Sequence, residues 1–254
     1  MTASTVFIGC AGWSVSSGQR SRFGAGRSVL EVYATRLNAV EINSSFYRPH
    51  RQSTYRRWSE SVPDDFRFSV KLPKSITHVA RLQGRPDLLA AFLGEVSGLG
   101  AKLGCLLVQL PPSLAFDSDV ARTFFQALQE RTSAPVVCEP RHPTWFTPEA
   151  GELLAALGVG RVAADPAITT RAAVPGGTLE PVYYRWHGSP KIYSSSYGQE
   201  ALQALARTLQ EHAARRTWVI FDNTASGAAV DNALALQHLM GGLGSAGADM
   251  PRSP

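Results

Sequence analysis

Short apolar runs rich in β-branched and aromatic residues recur along the chain, each closed by turn formers and most followed by a stretch with apolar positions at helical spacing. Runs of this kind read as strands, and they fall at residues 5–11, 39–46, 67–73, 105–112, 135–141, 161–166, 181–188 and 217–224. The period of 3.6 predicts helices over 28–37, 52–61, 87–99, 119–131, 148–157, 199–216 and 232–243. No helix is expected between the sixth and seventh strands, where residues 167–180 form an irregular connection containing Gly and Pro.

Eight strands in 254 residues leave about 32 residues per strand-helix unit, the count and size of a (β/α)8 TIM-type barrel. The competing α/β architecture, an open doubly wound sheet, carries a Gly-rich turn between a strand and the next helix at its nucleotide site. Here Gly24-Ala25-Gly26 follows a long loop and Gly158-Val159-Gly160 precedes a strand, so neither sits in that context. A single barrel domain over 1–240 is expected, followed by a flexible C-terminal tail at 241–254.

In a closed barrel the side chains of each strand alternate between the helix layer and the interior, and the last interior positions line a site at the C-terminal face. With Val40 and Ile42 facing the helices, Glu41 and Asn43 point inward; with Phe68 and Val70 outward, Ser69 and Lys71 point inward. The same alternation sends inward Leu107 and Gln109 on the fourth strand, and Val137, Glu139 and Arg141 on the fifth. It sends in Ala163 and Asp165 on the sixth, and Tyr183, Arg185 and His187 on the seventh. At the end of the eighth, parity leaves the choice between Asp222 and Asn223 open, and Asn223 joins the candidate set. Burying charged groups costs several kcal/mol each unless they are paired or solvated. Ion pairs such as Glu139 with Arg141 or Lys71 explain any single member structurally; they do not explain the whole set.

Composition narrows the class. At 44% hydrophobic the chain has ample material for a core, and no apolar run approaches the roughly 18–20 residues that span a bilayer. The first ten residues lack a basic segment followed by a long apolar one, so a cytoplasmic protein without a membrane partner is expected. Cys10, Cys105 and Cys138 lie far apart, which fits reduced, buried thiols. The formal net charge is +5, and only Lys71, Lys74, Lys102 and Lys191 are lysines. Residues 11–30, 44–58 and 72–86 follow the first three strands and contain ten of the basic residues, Arg20, Arg22, Arg27, Arg48, Arg51, Arg56, Arg57, Lys74, Arg81 and Arg85, with no Asp or Glu. Loops of that composition on the active-site face attract anions.

Seven motifs, each at a strand end and in order, carry a family resemblance. They are Gly9-Cys-Ala-Gly-Trp-Ser14, Val40-Glu-Ile-Asn-Ser-Ser-Phe-Tyr-Arg48, Phe68-Ser-Val-Lys-Leu-Pro-Lys-Ser-Ile-Thr-His78, Leu103-Gly-Cys-Leu-Leu-Val-Gln-Leu-Pro-Pro112, Glu139-Pro-Arg-His-Pro-Thr-Trp145, Tyr184-Arg-Trp-His-Gly188 and Phe221-Asp-Asn-Thr224. From about Phe7 to Leu236 the chain resembles the YecE-like proteins, domain-of-unknown-function family 72. The resemblance implies a TIM-type barrel and leaves the reaction open. It departs from the family pattern at Cys10-Ala11, Val15, Pro140 and Asp222, the last adding a carboxylate near the mouth.

Acids and bases crowded into one partly dry pocket shift each other's proton affinities, the arrangement that acid-base catalysis uses. Glu41, Glu139, Asp165 and His187 are the candidate catalytic residues. Trp13, Asn43, Tyr47, Lys71, His78, Gln109, Arg141, His142, Trp145, Arg185 and Asn223 are the candidate substrate-binding residues. His78 and His142 read equally well as loop caps, and Trp13 and Trp145 as packing lids. The expected function is an enzyme acting on a small-molecule or nucleic-acid anion, phosphate-bearing, without a cofactor. The alternatives are a non-catalytic polyanion binder and a metal-free glycosidase using two of the carboxylates. A divalent metal on Glu41, Glu139, Asp165 and His187 is a further version, opposed by the nearby Lys and Arg.

Overall fold

The computed structural model describes residues 5–211 and 216–246. In chain order the strands are β1 (Thr5–Cys10), β2 (Ala39–Ile42), β3 (Arg67–Lys71), β4 (Leu103–Gln109), β5 (Val136–Glu139), β6 (Gly160–Arg161), β7 (Ala163–Asp165), β8 (Gly176–Gly177), β9 (Val182–Trp186) and β10 (Arg216–Phe221). The helices are α1 (Val29–Ala34), α2 (Gln52–Glu60), α3 (Pro86–Val96), α4 (Ser118–Gln129), α5 (Pro148–Ala156), α6 (Gln199–Glu211) and α7 (Ala228–Ala246). Local chemistry sets several starts. The Ser28 side chain accepts from the Glu31 amide at the head of α1, Asp117 accepts from Asp119 and Val120 at α4, and Thr147 does the same for Ala150 at α5, with Pro148 as the first helical residue. As expected, no α-helix separates the sixth and seventh strand positions; a 3₁₀ turn, Thr170–Ala173, and the short β8 stand there. The last helix runs to Ala246, into the segment expected to be a tail, and the remainder of that tail lies outside the described residues.

Hydrogen bonding orders the strands into a four-stranded sheet, β1-β10-β9-β7, and a six-stranded sheet, β2-β3-β4-β5-β6-β8. All pairings are parallel except β6 with β8. The expected sixth strand breaks at Val162: its first half pairs with β5 and its second with β9. At the other seam β1 and β2 lie close together, but among the described residues the isolated Ala11–Glu41 bridge is the one strand pairing between them. The fold is thus α/β with parallel strands and helices between them, and the continuous ladder of a closed barrel is not shown.

Alternation along the strands separates two apolar cores. One lies between strands and helices and includes Val40, Ile42, Phe68, Val70, Leu106 and Val108. The second is smaller and interior, with Phe7, Ala39, Leu107, Val137, Val162, Tyr183, Trp218 and Ile220. Tyr183 and Trp218 stack there with ring centroids 5.9 Å apart. On the same faces of the strands, one or two steps toward the C-terminal ends, the apolar plug gives way to charge.

Candidate functional site

Arg185 on β9 organises the charged layer. It is 1% exposed, and its Nε and Nη2 donate to Glu41 Oε2 and Oε1 at 3.0 and 2.7 Å. Nη1 donates to Glu139 Oε2 at 3.0 Å, and Nη2 also lies 3.0 Å from Asp222 Oδ2. Strand parity puts Glu41 and Glu139 inward, and the two-pronged guanidinium suits the facing carboxylates. Tyr183, one inward step earlier on β9, donates to Glu41 Oε2 at 3.0 Å, and its hydroxyl oxygen lies 2.9 Å from Ser69 Oγ, whose O–H can donate to it. Burial alone would lower Arg185; Asp222, Glu41 and Glu139 outweigh it and hold the proton firmly. Burial would likewise raise Glu139, but Arg141, Arg185 and the His187 hydrogen bond keep it well below the ordinary carboxylate range.

His187 stands between two carboxylates. Its Nδ1 is 3.0 Å from Asp222 Oδ2, and its Nε2 is 2.9 Å from Glu139 Oε1 and 3.1 Å from Arg141 Nη2. Asp222 is held below the usual carboxyl range: burial raises it, and Arg185 with the His187 hydrogen bond more than offsets that. As an ionised acceptor it fixes the proton on Nδ1. Nε2 then faces a carboxylate oxygen of Glu139, to which a ring N–H can donate, and the Arg141 guanidinium, from which a bare ring nitrogen can accept. Arg141 reaches Glu139 Oε1 through Nε at 2.8 Å and through Nη2 at 2.6 Å, and its side chain is 19% exposed, so this edge of the cluster meets solvent.

Lys71, at the end of β3, differs from the other cations. Among the described residues no carboxylate lies within 4.0 Å of its ammonium, and no side-chain hydrogen bond engages it. Its Nζ sits 4.0 Å from the centroid of the Phe46 ring. Burial, and then Arg185, lower it to about 8, while Glu41, Glu139 and Asp222 pull it back up. His78 packs edge-on against the same Phe46, 4.9 Å between centroids. Burial together with Lys71, Lys74 and Arg141 lowers it to about 4, so it is neutral near pH 7.

The family model described as "Protein of unknown function DUF72" matches residues 7–253. The chain belongs to the DUF72 family. It is 33% identical to UPF0759 protein YecE of Escherichia coli (strain K12) over 142 residues, a match covering 56% of this chain, and the chain spans about half the length of that relative. With UPF0759 protein YunF of Bacillus subtilis (strain 168) the identity is 23%, over 92% of this chain and 94% of the relative. Crystal structures of DUF72 proteins from Thermotoga maritima and Enterococcus faecalis share the fold. The former has TM-score 0.75 at 23% identity, covering 93% of this chain and 99% of that one. The latter has 0.76 at 20%, covering 93% and 96%.

Of the sequence-predicted site residues, this DUF72 chain gathers Glu41, Glu139, Arg141, Arg185 and His187 into one bonded cluster, with Lys71 facing it. Gln109, half-buried at the end of β4 and in register with Glu139, makes no side-chain hydrogen bond among the described residues. Asp165 is placed elsewhere. Its face is that of Ala163, which packs in the outer core, while Val162 takes the interior, and its Oδ1 accepts from Tyr197 Oη at 2.7 Å. The metal set of Glu41, Glu139, Asp165 and His187 is therefore not assembled, and no described group of three His, Cys, Asp or Glu side chains is arranged to hold an ion. Asp222 faces inward with Trp218 and Ile220; Asn223 turns away, its Nδ2 donating to Ser195 O and Asn232 Oδ1 at 2.9 and 2.8 Å. Trp145 is buried in the outer core, donating to Leu114 O at 2.9 Å, and His142 caps the turn that begins at Pro143. Trp13 packs edge-on against Trp58, 5.0 Å between centroids. Tyr47 is 76% exposed, and Asn43 is half-buried with an unpartnered Oδ1. The bases of the three loop segments are all exposed, although Arg22 and Arg85 are spent on Asp231 and Asp87. Tyr183 and Asp222 are the members that the candidate set left out.

Proposed function

We propose that this protein is an acid-base enzyme acting on an anionic, phosphate- or carboxylate-bearing substrate at the C-terminal ends of its parallel strands. His187 is the proton carrier, Asp222 fixes its tautomer, and Glu139 takes or returns the proton at Nε2. Arg141, the cluster guanidinium that meets solvent, supplies the positive charge that holds the substrate's anion. The single observation carrying the reading is the position of His187, with one nitrogen committed to Asp222 and the other at 2.9 Å from Glu139 beside a partly exposed Arg141. In the same reading the two sheets complete a (β/α)8-type ring forming one domain, supported by the Ala11–Glu41 bridge at one seam and by the unbroken chain through Val162 at the other. A cytoplasmic setting accords with three free, buried thiols.

A glycosidase would need one carboxylate free to attack and one protonated, whereas Glu41, Glu139 and Asp222 all lie against Arg185. The deciding experiment incubates the protein with a mixture of phosphorylated and carboxylated metabolites and follows each by mass spectrometry. One or more should be consumed by the wild type and spared by His187→Asn and Asp222→Asn. Consumption that survives both substitutions would remove His187 from the chemistry. Tight, salt-sensitive binding of polyphosphate with no consumption would favour the non-catalytic binder.

A further inference from the structure

We propose that Lys71 is an amine nucleophile that condenses with the carbonyl carbon of an anionic aldehyde or ketone to form an imine. The inference rests on the preceding reading in one respect, that the substrate enters at the strand ends, and it narrows the substrate class to carbonyl compounds.

Three observations carry it. First, Lys71 is not needed to complete the hydrogen bonding of the acids: Arg185 touches Glu41, Glu139 and Asp222, and Arg141 takes Glu139 again. Second, it is 5% exposed and, among the described residues, its ammonium has the Phe46 ring but no hydrogen-bonding or ionic partner, and its Nζ is not among the sealed unpartnered atoms, so the nitrogen is uncommitted and keeps a trace of solvent contact. Third, its surroundings disfavour the ammonium. Burial and the Arg185 guanidinium bring its titration to about 8, against the partial relief given by Glu41, Glu139 and Asp222, and His78 at the mouth is neutral near pH 7. A cationic neighbour and desolvation are how a lysine becomes a free amine near neutrality. The other lysines are differently placed. Lys102 donates to Ser59 O and Val62 O at 2.8 and 2.7 Å, and Lys74 and Lys191 are exposed.

The step balances within the cluster. The Nζ lone pair attacks the carbonyl carbon, and the C=O electron pair moves to oxygen, which takes a proton from His187 Nε2. The nitrogen passes one proton to a carboxylate, which returns it to the carbinolamine hydroxyl, and water leaves as the nitrogen lone pair forms the C=N bond. Hydrolysis reverses the sequence and frees the amine, so no oxidant or reductant is consumed. Between the two, the protonated imine accepts electron density from a bond to the neighbouring carbon, which lets acid-base groups make or break that bond.

Glyoxylate, a small anionic aldehyde, with cyanoborohydride at about pH 8 tests the proposal on the wild-type protein. Peptide mapping reads the reduced adduct at each of the four lysines separately from the α-amino group. A lysine titrating near 8 holds roughly a hundredfold more neutral amine there than one near 10.4. Lys71 should therefore be labelled at least about tenfold faster than Lys74 and Lys191. Lys71→Arg, which keeps the charge, should lose that adduct and leave labelling of Lys74 and Lys191 unchanged. Labelling of Lys71 no faster than of the exposed lysines would overturn the assignment. Trapping needs no turnover, so an adduct at Lys71 in a protein that consumes no metabolite would keep the amine and discard the acid-base reading. Consumption that depends on His187 with Lys71 unlabelled would do the reverse.

Discussion

Glu139 takes bonds from two arginines and faces His187, at 1% exposure, so its charge is expensive to lose. Removing one partner of a buried pair leaves the others uncompensated, at about 3–5 kcal/mol. Glu139→Gln should lower unfolding free energy at neutral pH by that order, measured by urea titration. The pH dependence has a definite sign. The carboxyl titrates below its unfolded value of about 4.3, so its stabilisation is complete above that pH and is lost as the pH falls through the lower native value. The gap between wild type and variant should therefore close on acidification below about pH 4; a gap indifferent to pH would mean that the charge is not what stabilises. Tyr183→Phe, which strips a hydroxyl from Glu41 and Ser69, should cost about 1–3 kcal/mol in the same assay. At this scale the sequence was legible wherever one face of a strand was polar and the other apolar, as for Glu41, Lys71, Glu139 and Arg185. It was illegible where contrast was missing. Trp218-Val219-Ile220-Phe221 is apolar on both faces, which hid Asp222, and Ala163-Ala164 gave no contrast to place Asp165. The roles of Trp145 and His142 depended on where loops fold back, which parity does not address.

At the level of elements, the β1–β2 seam is the weak join, holding one bridge where other neighbours hold ladders. The strands come close there because Gly9 has no side chain: a Cβ at that position would overlap the Ala39 carbonyl oxygen. Ala39 is fully buried and cannot move aside. Gly9→Ala should force the seam apart, costing about 1–3 kcal/mol by the measure of overpacked cores. Hydrogen exchange should show faster loss of protection at the Gly12 amide, which donates to Glu41 O across the seam at 2.9 Å, than at amides within β3 and β4. Unchanged protection at Gly12 would mean the glycine is not what sets the approach. The pattern of elements itself was readable, including the missing sixth helix, because Gly and Pro in 167–180 forbid helical periodicity. The break at Val162 was not, since a change of pairing partner leaves side-chain alternation intact.

Across the whole molecule the charged cluster joins the two sheets. Arg185, His187 and Tyr183 belong to the four-stranded sheet or its end, while Glu41, Ser69 and Glu139 belong to the six-stranded one, and every bond between these sets crosses the interior. Two explanations predict such a layer: a structural clasp or a reactive site. They differ in what an apolar replacement does. Buried ion networks exchanged as a unit for packed hydrophobic residues of similar volume are often neutral or stabilising by about 1–4 kcal/mol, because the desolvation of the charges no longer has to be offset. The interior below is already apolar, with Leu107, Val137 and Ile220 beneath the cluster, so such residues would extend an existing core. Replacing Glu41, Glu139, Arg185 and Asp222 together by Met and Leu should thus leave a folded protein no more than about 1–2 kcal/mol less stable than wild type, whereas Arg185→Met alone, stranding three carboxylates, should be the more damaged of the two. The fourfold variant should also have lost metabolite consumption, while Lys71, whose amine is kept neutral chiefly by burial and whose three raising carboxylates are gone, should still be labelled selectively. Calorimetry on both variants, with glyoxylate labelling in parallel, separates the cases. If the fourfold variant unfolds as badly as Arg185→Met, the charges are a clasp the fold cannot do without. If it folds well and is catalytically inert, the chain keeps a costly ionic interior for its chemistry.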